Sequence, residues 1–145
     1  MELSLGKRAD YTVRAMVDLA RHYGTGRRKT SEIAEEMDIP VSYLPQLLAE
    51  LVRAGLVTSV AGRKGGYVLA RLPEEISLLD AIEVADGPMI AMVCVLRGGP
   101  CRWEDSCAIH EPWARAQQAF RDSLATTTFA EVAVIDAALN GAAEA

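Results

Sequence analysis

Three cysteines, Cys94, Cys101 and Cys107, fall within 14 residues, and His110 follows three positions after the last. Thiolate and imidazole are soft-metal ligands, so the run Cys94-x6-Cys101-x5-Cys107-x2-His110 is the obvious place to look for chemistry. Three chemistries fit. Thiolates are the standard ligands of iron–sulfur clusters, and a non-cysteine fourth ligand is a known variation. Three sulfurs and one imidazole also make a structural zinc set, although zinc sites usually pair close ligands in a C-x2-C knuckle that is missing here. The third is a metal-free thiol switch. An odd cysteine count argues against a disulfide framework. Cys107 and His110, three apart at a helix start, can point to one side.

The elements that must position this loop read clearly. Residues 8–23 carry Tyr11, Val13, Ala15, Met16, Leu19 and Ala20 in a helical pattern, broken by Gly24 and Gly26, with His22 at the surface near its end. A basic loop, Arg27-Arg28-Lys29, leads to a second helix capped by Thr30 or Ser31 and ended by Asp38-Ile39-Pro40. A third helix is expected over 42–54, with Pro45 in its first turn, an apolar stripe of Leu44, Leu47, Leu48 and Leu51, and Gly55 as its stop. Two β-prone runs, 56–60 and 67–70, flank the basic glycine-rich turn Ala61-Gly62-Arg63-Lys64-Gly65-Gly66 and predict a hairpin. Helix, short helix, longer helix and hairpin is the order of a winged helix-turn-helix.

Beyond Pro73, Ser77 with Asp80 predicts a capped helix ending near Asp86-Gly87-Pro88. A long amphipathic helix after the cysteines carries Ile109, Trp113, Ala116, Phe120 and Leu124. Thr128 with Glu131 caps a last helix that ends at Asn140-Gly141. The expected class is mainly α: a winged helix-turn-helix domain over 1–87, a cysteine loop over 88–107, and a long dimerisation helix with a C-terminal helix over 108–145.

In a helix-turn-helix the start of the second motif helix meets base edges in the major groove. Ser42, Tyr43 and Gln46 occupy that segment and carry suitable hydrogen-bonding groups. Arg63 and Lys64 at the hairpin tip, with Arg28 and Lys29 of the basic loop, are the candidate phosphate contacts. The net charge of −5 is unevenly spread. Residues 1–71 carry 11 Lys/Arg against 8 Asp/Glu, a net of +3; the remainder carries 4 against 12, a net of −8. Only the first half suits phosphate. The start, MELSLGKRAD, lacks a secretory apolar stretch, and no apolar run approaches a bilayer-spanning length, so the chain reads as cytoplasmic. No nucleophile–base pair, phosphate loop or cofactor fingerprint points to an enzyme.

Wing and cysteines together resemble the Rrf family of winged-helix transcription regulators, in particular its IscR-like and NsrR-like iron–sulfur sensors. The resemblance runs from Tyr11 to Thr128. It rests on Ser42-Tyr43-Leu44 with Gln46-Leu47, Ala54-Gly55-Leu56-Val57, Gly65-Gly66-Tyr67-Val68-Leu69, and the cysteine set followed by Trp113. It implies a homodimer, paired through the long helix, that binds a double-stranded DNA operator, in most members as a repressor. It also implies a cluster whose loss, oxidation or reaction with nitric oxide shifts the wing and recognition helix. His110 matches the imidazole ligand of the two-iron IscR-like sensors. Asp10 matches the aspartate that NsrR-like sensors supply across the dimer to a four-iron cluster. The two-iron form is the favoured expectation, and a cluster-free regulator using thiols or zinc is the alternative. The chain departs from the IscR-like pattern in having Ala61-Gly62 where an Arg-Gly pair begins the wing, Pro45 at a base-reading position, and one extra residue in the first cysteine gap.

Overall fold

The computed structural model describes residues 2–89, 96, 101, 103 and 105–141. Six helices and one two-stranded hairpin follow the expected order: α1 (Lys7–Arg21), α2 (Thr30–Met37), α3 (Leu44–Arg53), β1 (Val57–Val60), β2 (Gly66–Leu69), α4 (Leu78–Asp86), α5 (His110–Thr126) and α6 (Phe129–Asn140). A short 3-10 turn, Pro73–Glu75, links β2 to α4.

α1 is the hub. Its buried face of Ala9, Thr12, Ala15, Met16, Leu19 and Ala20 is rich in small side chains, which let α2, α3, α4, α6 and β2 all approach it. Leu44, Leu47, Leu48 and Leu51 of α3 are buried as the heptad-like spacing requires. Phe129, at the start of α6, is fully buried in this same core. The last helix therefore shares the core of the first 87 residues rather than standing apart with α5.

Several boundaries differ from expectation for local reasons. α2 is capped one residue earlier than Thr30 or Ser31: Thr30 is already helical, and the Lys29 backbone N–H donates to Glu32 Oε1 at 2.9 Å. The helix ends because Asp38 adopts left-handed geometry (φ 53°), a conformation that aspartate tolerates better than most residues. α3 starts at Leu44, not Ser42, since Val41–Tyr43 form a turn in which Tyr43 N–H donates to Pro40 O at 3.0 Å. Gly55 closes α3 at φ +79°.

Both capping boxes form as predicted. Asp80 N–H donates to Ser77 Oγ at 3.1 Å, and Glu131 N–H donates to Thr128 Oγ1 at 3.3 Å. The two caps also lie side by side, with Leu78 N–H donating to Thr127 O and Phe129 N–H to Ile76 O, both at 2.9 Å. α5 packs chiefly on α4 and buries none of its side chains, leaving Ile109 and Phe120 more than two-fifths exposed. Among the described residues no helix is long and apolar enough to cross a membrane.

Candidate functional site

The first candidate surface lies around α3 and the hairpin. Val41, Ser42, Tyr43, Pro45 and Gln46 are all exposed on the turn and first helical residues that precede the buried leucines. For Pro45 and Gln46 this placement follows from the α3 stripe: once Leu44, Leu47 and Leu48 point inward, they must point out, while Ser42 is exposed on the preceding turn. Tyr43 is 43% exposed while its ring packs edge-to-face on Tyr11, with centroids 5.2 Å apart. Its position is thus set by packing.

The hairpin pairs Val57 with Leu69 and Val60 with Gly66, which puts Ala61–Gly65 at the tip. Arg63 and Lys64 are exposed there, and Lys29 is exposed beside the hairpin. Among the described residues none of these three cations has an ion-pair partner.

Arg28 is placed differently from its expected role. Its Nε and Nη2 donate to the two carboxylate oxygens of Asp18, each at 3.0 Å, in the bidentate geometry that suits guanidinium and carboxylate. Asp18 has no solvent exposure. The Arg28 pKa is raised above the ordinary arginine value, first by the hydrogen bond to Asp18 and then, against a lowering by burial, by the surrounding carboxylates. Glu32, which accepts the Lys29 backbone bond and lies near Arg28 and Lys29, is held below the usual glutamate range.

Sequence reasoning overlooked Asp18. The available signal was an acid set inside the apolar run Ala15–Ala20, where a carboxylate needs a partner. His22, expected at the surface, is half-buried: its Nε2 is enclosed without a hydrogen bond among the described residues and lies 3.9 Å from Asp18 Oδ1.

The second candidate is the cysteine loop. Cys101 and Cys107 are half-buried free thiols. A hydrogen-bonded turn, in which Cys107 N–H donates to Trp103 O at 2.9 Å, leads into α5, and His110 N–H donates to Cys107 O at 3.2 Å. His110 is the first residue of α5, and its Nδ1 lies 3.4 Å from Cys101 Sγ. Cys94 lies outside the described residues, and among those described no three metal-ligating groups converge. Asp10, the other candidate fourth ligand, is held by Arg14 of its own helix, with Oδ2 at 2.9 Å from Nη2.

Comparison with known proteins fits this architecture. Residues 5–134 match the Rrf2 family profile, described as an iron-dependent transcriptional regulator. The chain is 33% identical over 130 residues to the HTH-type transcriptional regulator IscR of Klebsiella pneumoniae, covering 90% of this chain and 79% of that protein. It is 34% identical over 131 residues to the HTH-type transcriptional regulator CymR of Bacillus subtilis, covering 90% of each. Among solved structures, CymR, the global cysteine regulator of B. subtilis, superposes with a TM-score of 0.80 at 30% identity over 92% of this chain and 98% of that one. T. potens IscR superposes with a TM-score of 0.74 at 34% identity over 94% and 90%.

Proposed function

The chain belongs to the Rrf2 family of transcriptional regulators, and from that premise we propose that it is a homodimeric repressor whose operator affinity is set by an iron–sulfur cluster at the cysteine loop. Its relatives are regulators rather than enzymes. The DNA-reading surface is the exposed segment of Ser42, Tyr43 and Gln46 together with Lys29, Arg63 and Lys64. The exposed apolar side chains of Ile109, just before α5, and Phe120 on it form the pairing surface of the dimer.

The cluster reading is carried by one observation: the approach of His110 Nδ1, at the start of α5, to Cys101 Sγ of the loop, at 3.4 Å. A sulfur and an imidazole nitrogen at that spacing fit one metal's coordination sphere, and Cys107 stands one helical turn before His110. Cys94, Cys101, Cys107 and His110 would hold the cluster. The engagement of Asp10 with Arg14 favours His110 as the fourth ligand and, with it, a two-iron over a four-iron form. When bound, the group supplies a redox- and nitric-oxide-sensitive centre whose state alters the loop.

The chain's own residues carry such a change toward DNA. The loop leaves α4 at Gly87, and Arg8 of α1 touches both that end and the recognition helix: its Nε donates to Ala85 O at 2.9 Å, and its Nη2 pairs with Glu50 of α3. Movement at the end of α4 thus has a polar connection to α3.

The test is an absorption spectrum and native mass of protein purified without oxygen. A coloured dimer whose mass includes iron and sulfide supports the proposal, and the mass separates two-iron from four-iron forms. A colourless dimer, metal-free even after anaerobic iron and sulfide reconstitution, refutes it. The similarity to CymR, the cysteine regulator, gives a specific second reading, in which Cys101 and Cys107 act as thiols or hold zinc. Zinc in the native mass, or operator affinity that follows thiol oxidation in colourless protein, supports that reading.

A further inference from the structure

The basic loop before α2 does more than carry charge. The Arg28 backbone forms an isolated antiparallel bridge with Tyr67 of β2: Arg28 N–H donates to Tyr67 O at 2.9 Å, and Tyr67 N–H donates to Arg28 O at 2.8 Å. Its side chain runs the other way, into α1, where both oxygens of the fully buried Asp18 accept from it. Nη1 also donates to Glu32 Oε2 of α2 at 3.3 Å. One residue therefore holds β2, α1 and α2 at once. Its neighbour Arg27 adds a bond to the wing tip, from Nη1 to Lys64 O at 2.9 Å.

The wing needs such a hold. A two-stranded hairpin is marginal by itself in water, and four residue pairs are few. The approach is also close. A Cβ on Gly66 would lie 2.7 Å from Arg28 O, so β2 reaches the loop only because position 66 has no side chain. Asp18 takes no part in any proposed DNA contact, yet it is buried and both of its oxygens accept from this one guanidinium; His22 Nε2 lies 3.9 Å from it, without a hydrogen bond among the described residues.

We propose that Arg28, anchored on Asp18, is a positioning residue that fixes the wing relative to the recognition helix and does not itself contact DNA. This rests on the DNA-binding reading above. It makes the wing angle a property of the α1–Arg28–β2 connection, so that Arg63 and Lys64 reach phosphate only from the position that Arg28 holds.

The test uses full-length Arg28→Ala and Arg28→Lys proteins; the lysine variant keeps the charge and loses the bidentate fork. The first readout needs no DNA: hydrogen exchange of the Arg28 and Tyr67 amides, and tryptic cleavage at Arg63 and Lys64. Both should rise in Arg28→Lys while α1 and α3 amides stay protected. The second is affinity, across a salt series, for a fluorescein-labelled duplex recovered by the wild-type protein from a random-sequence pool. If a released wing holds its docked position about a third of the time, two wings per dimer weaken binding about tenfold. The salt slope stays that of wild type, whereas a lost phosphate contact in both protomers would lower it by about 1.8.

Unchanged Tyr67 exchange in Arg28→Lys overturns the proposal. A slope that falls with Arg28→Ala overturns it too, making Arg28 a direct contact; if the alanine variant does not fold, wild-type affinity in Arg28→Lys overturns it, because lysine keeps a phosphate contact while losing the bidentate fork. A wild-type protein that recovers no duplex refutes the DNA-binding reading instead, and the exchange experiment still reports whether Arg28 holds the wing.

Discussion

The sharpest quantitative expectation concerns the salt dependence of DNA binding. Lys29, Arg63 and Lys64 are exposed around the wing and have no carboxylate partner among the described residues. Each is free to displace a counterion from a phosphate, and each such contact contributes about 0.9 to the slope of log affinity against log salt. Three cations in each of two protomers give a slope of about −5, so raising salt from about 0.1 M to 0.2 M should weaken binding about 40-fold. Lys64→Ala removes one contact from each protomer and should bring the slope to between about −3 and −4, with no effect on the melting temperature because the side chain is fully outside the core. Fluorescence anisotropy with a labelled duplex, over at least four salt concentrations, measures both slopes. A wild-type slope shallower than about −2, or a Lys64→Ala slope equal to that of wild type, would show that the wing tip does not meet phosphate.

Phe129→Ala should lower stability by about 3–5 kcal/mol, because the ring is fully buried where α6 joins the core; thermal unfolding by circular dichroism checks this. Ser77→Ala removes a formed N-cap and should cost about 1 kcal/mol in the same assay. Glu32 is held below the ordinary glutamate range in the folded chain, so the support it gives the start of α2 is present above the unfolded carboxylate value. That support disappears as pH falls through the lower folded value, and a reduced protection of the Lys29 amide, relative to its intrinsic exchange rate at each pH, is the readout on the acid side. His110→Ala should leave a protein that assembles a coloured centre with an altered spectrum and faster loss of iron, whereas Cys101→Ala should stay colourless; identical spectra for His110→Ala and wild type would remove His110 from the ligand set.

Much of the fold was legible because its punctuation is local. Gly55 ends α3, Gly87 ends α4, and the Ser77–Asp80 and Thr128–Glu131 pairs start helices through bonds spanning three residues. The apolar stripe of α3 likewise depends only on its own period. What was not legible depends on chain segments meeting. The carboxylate of Asp18 and the guanidinium of Arg28 are ten positions apart across a loop, and nothing local says that they face each other rather than solvent. Arg28 therefore read as one more cation in a basic loop. The inclusion of Phe129 in the main core was hidden for the same reason, since periodicity marks an apolar face without saying which neighbour covers it. At the cysteine loop, spacing placed Cys107 and His110 on adjacent turns, but the approach of Cys101 to His110 needed the path of the chain between them.

The same distinction changes how the uneven charge should be understood. The first 71 residues carry a net of +3, and that excess looked like a phosphate-facing half. In the folded chain four of its eight arginines are used internally: Arg8 pairs with Glu50, Arg14 with Asp10, Arg21 with Glu36 and Asp136, and Arg28 with Asp18 and Glu32. Apart from Arg14–Asp10, which lies within α1, these pairs join α1, α2, α3, α6 and the basic loop, so they belong to packing and contribute little field at the DNA face. The positive charge left for phosphate is concentrated in a few side chains beside and on the wing. A chain of net −5 can bind DNA on those terms only if the wing is held where its cations count. Electrostatic attraction and wing placement are then one requirement, and the arginine that looked like a phosphate ligand serves it from inside the protein.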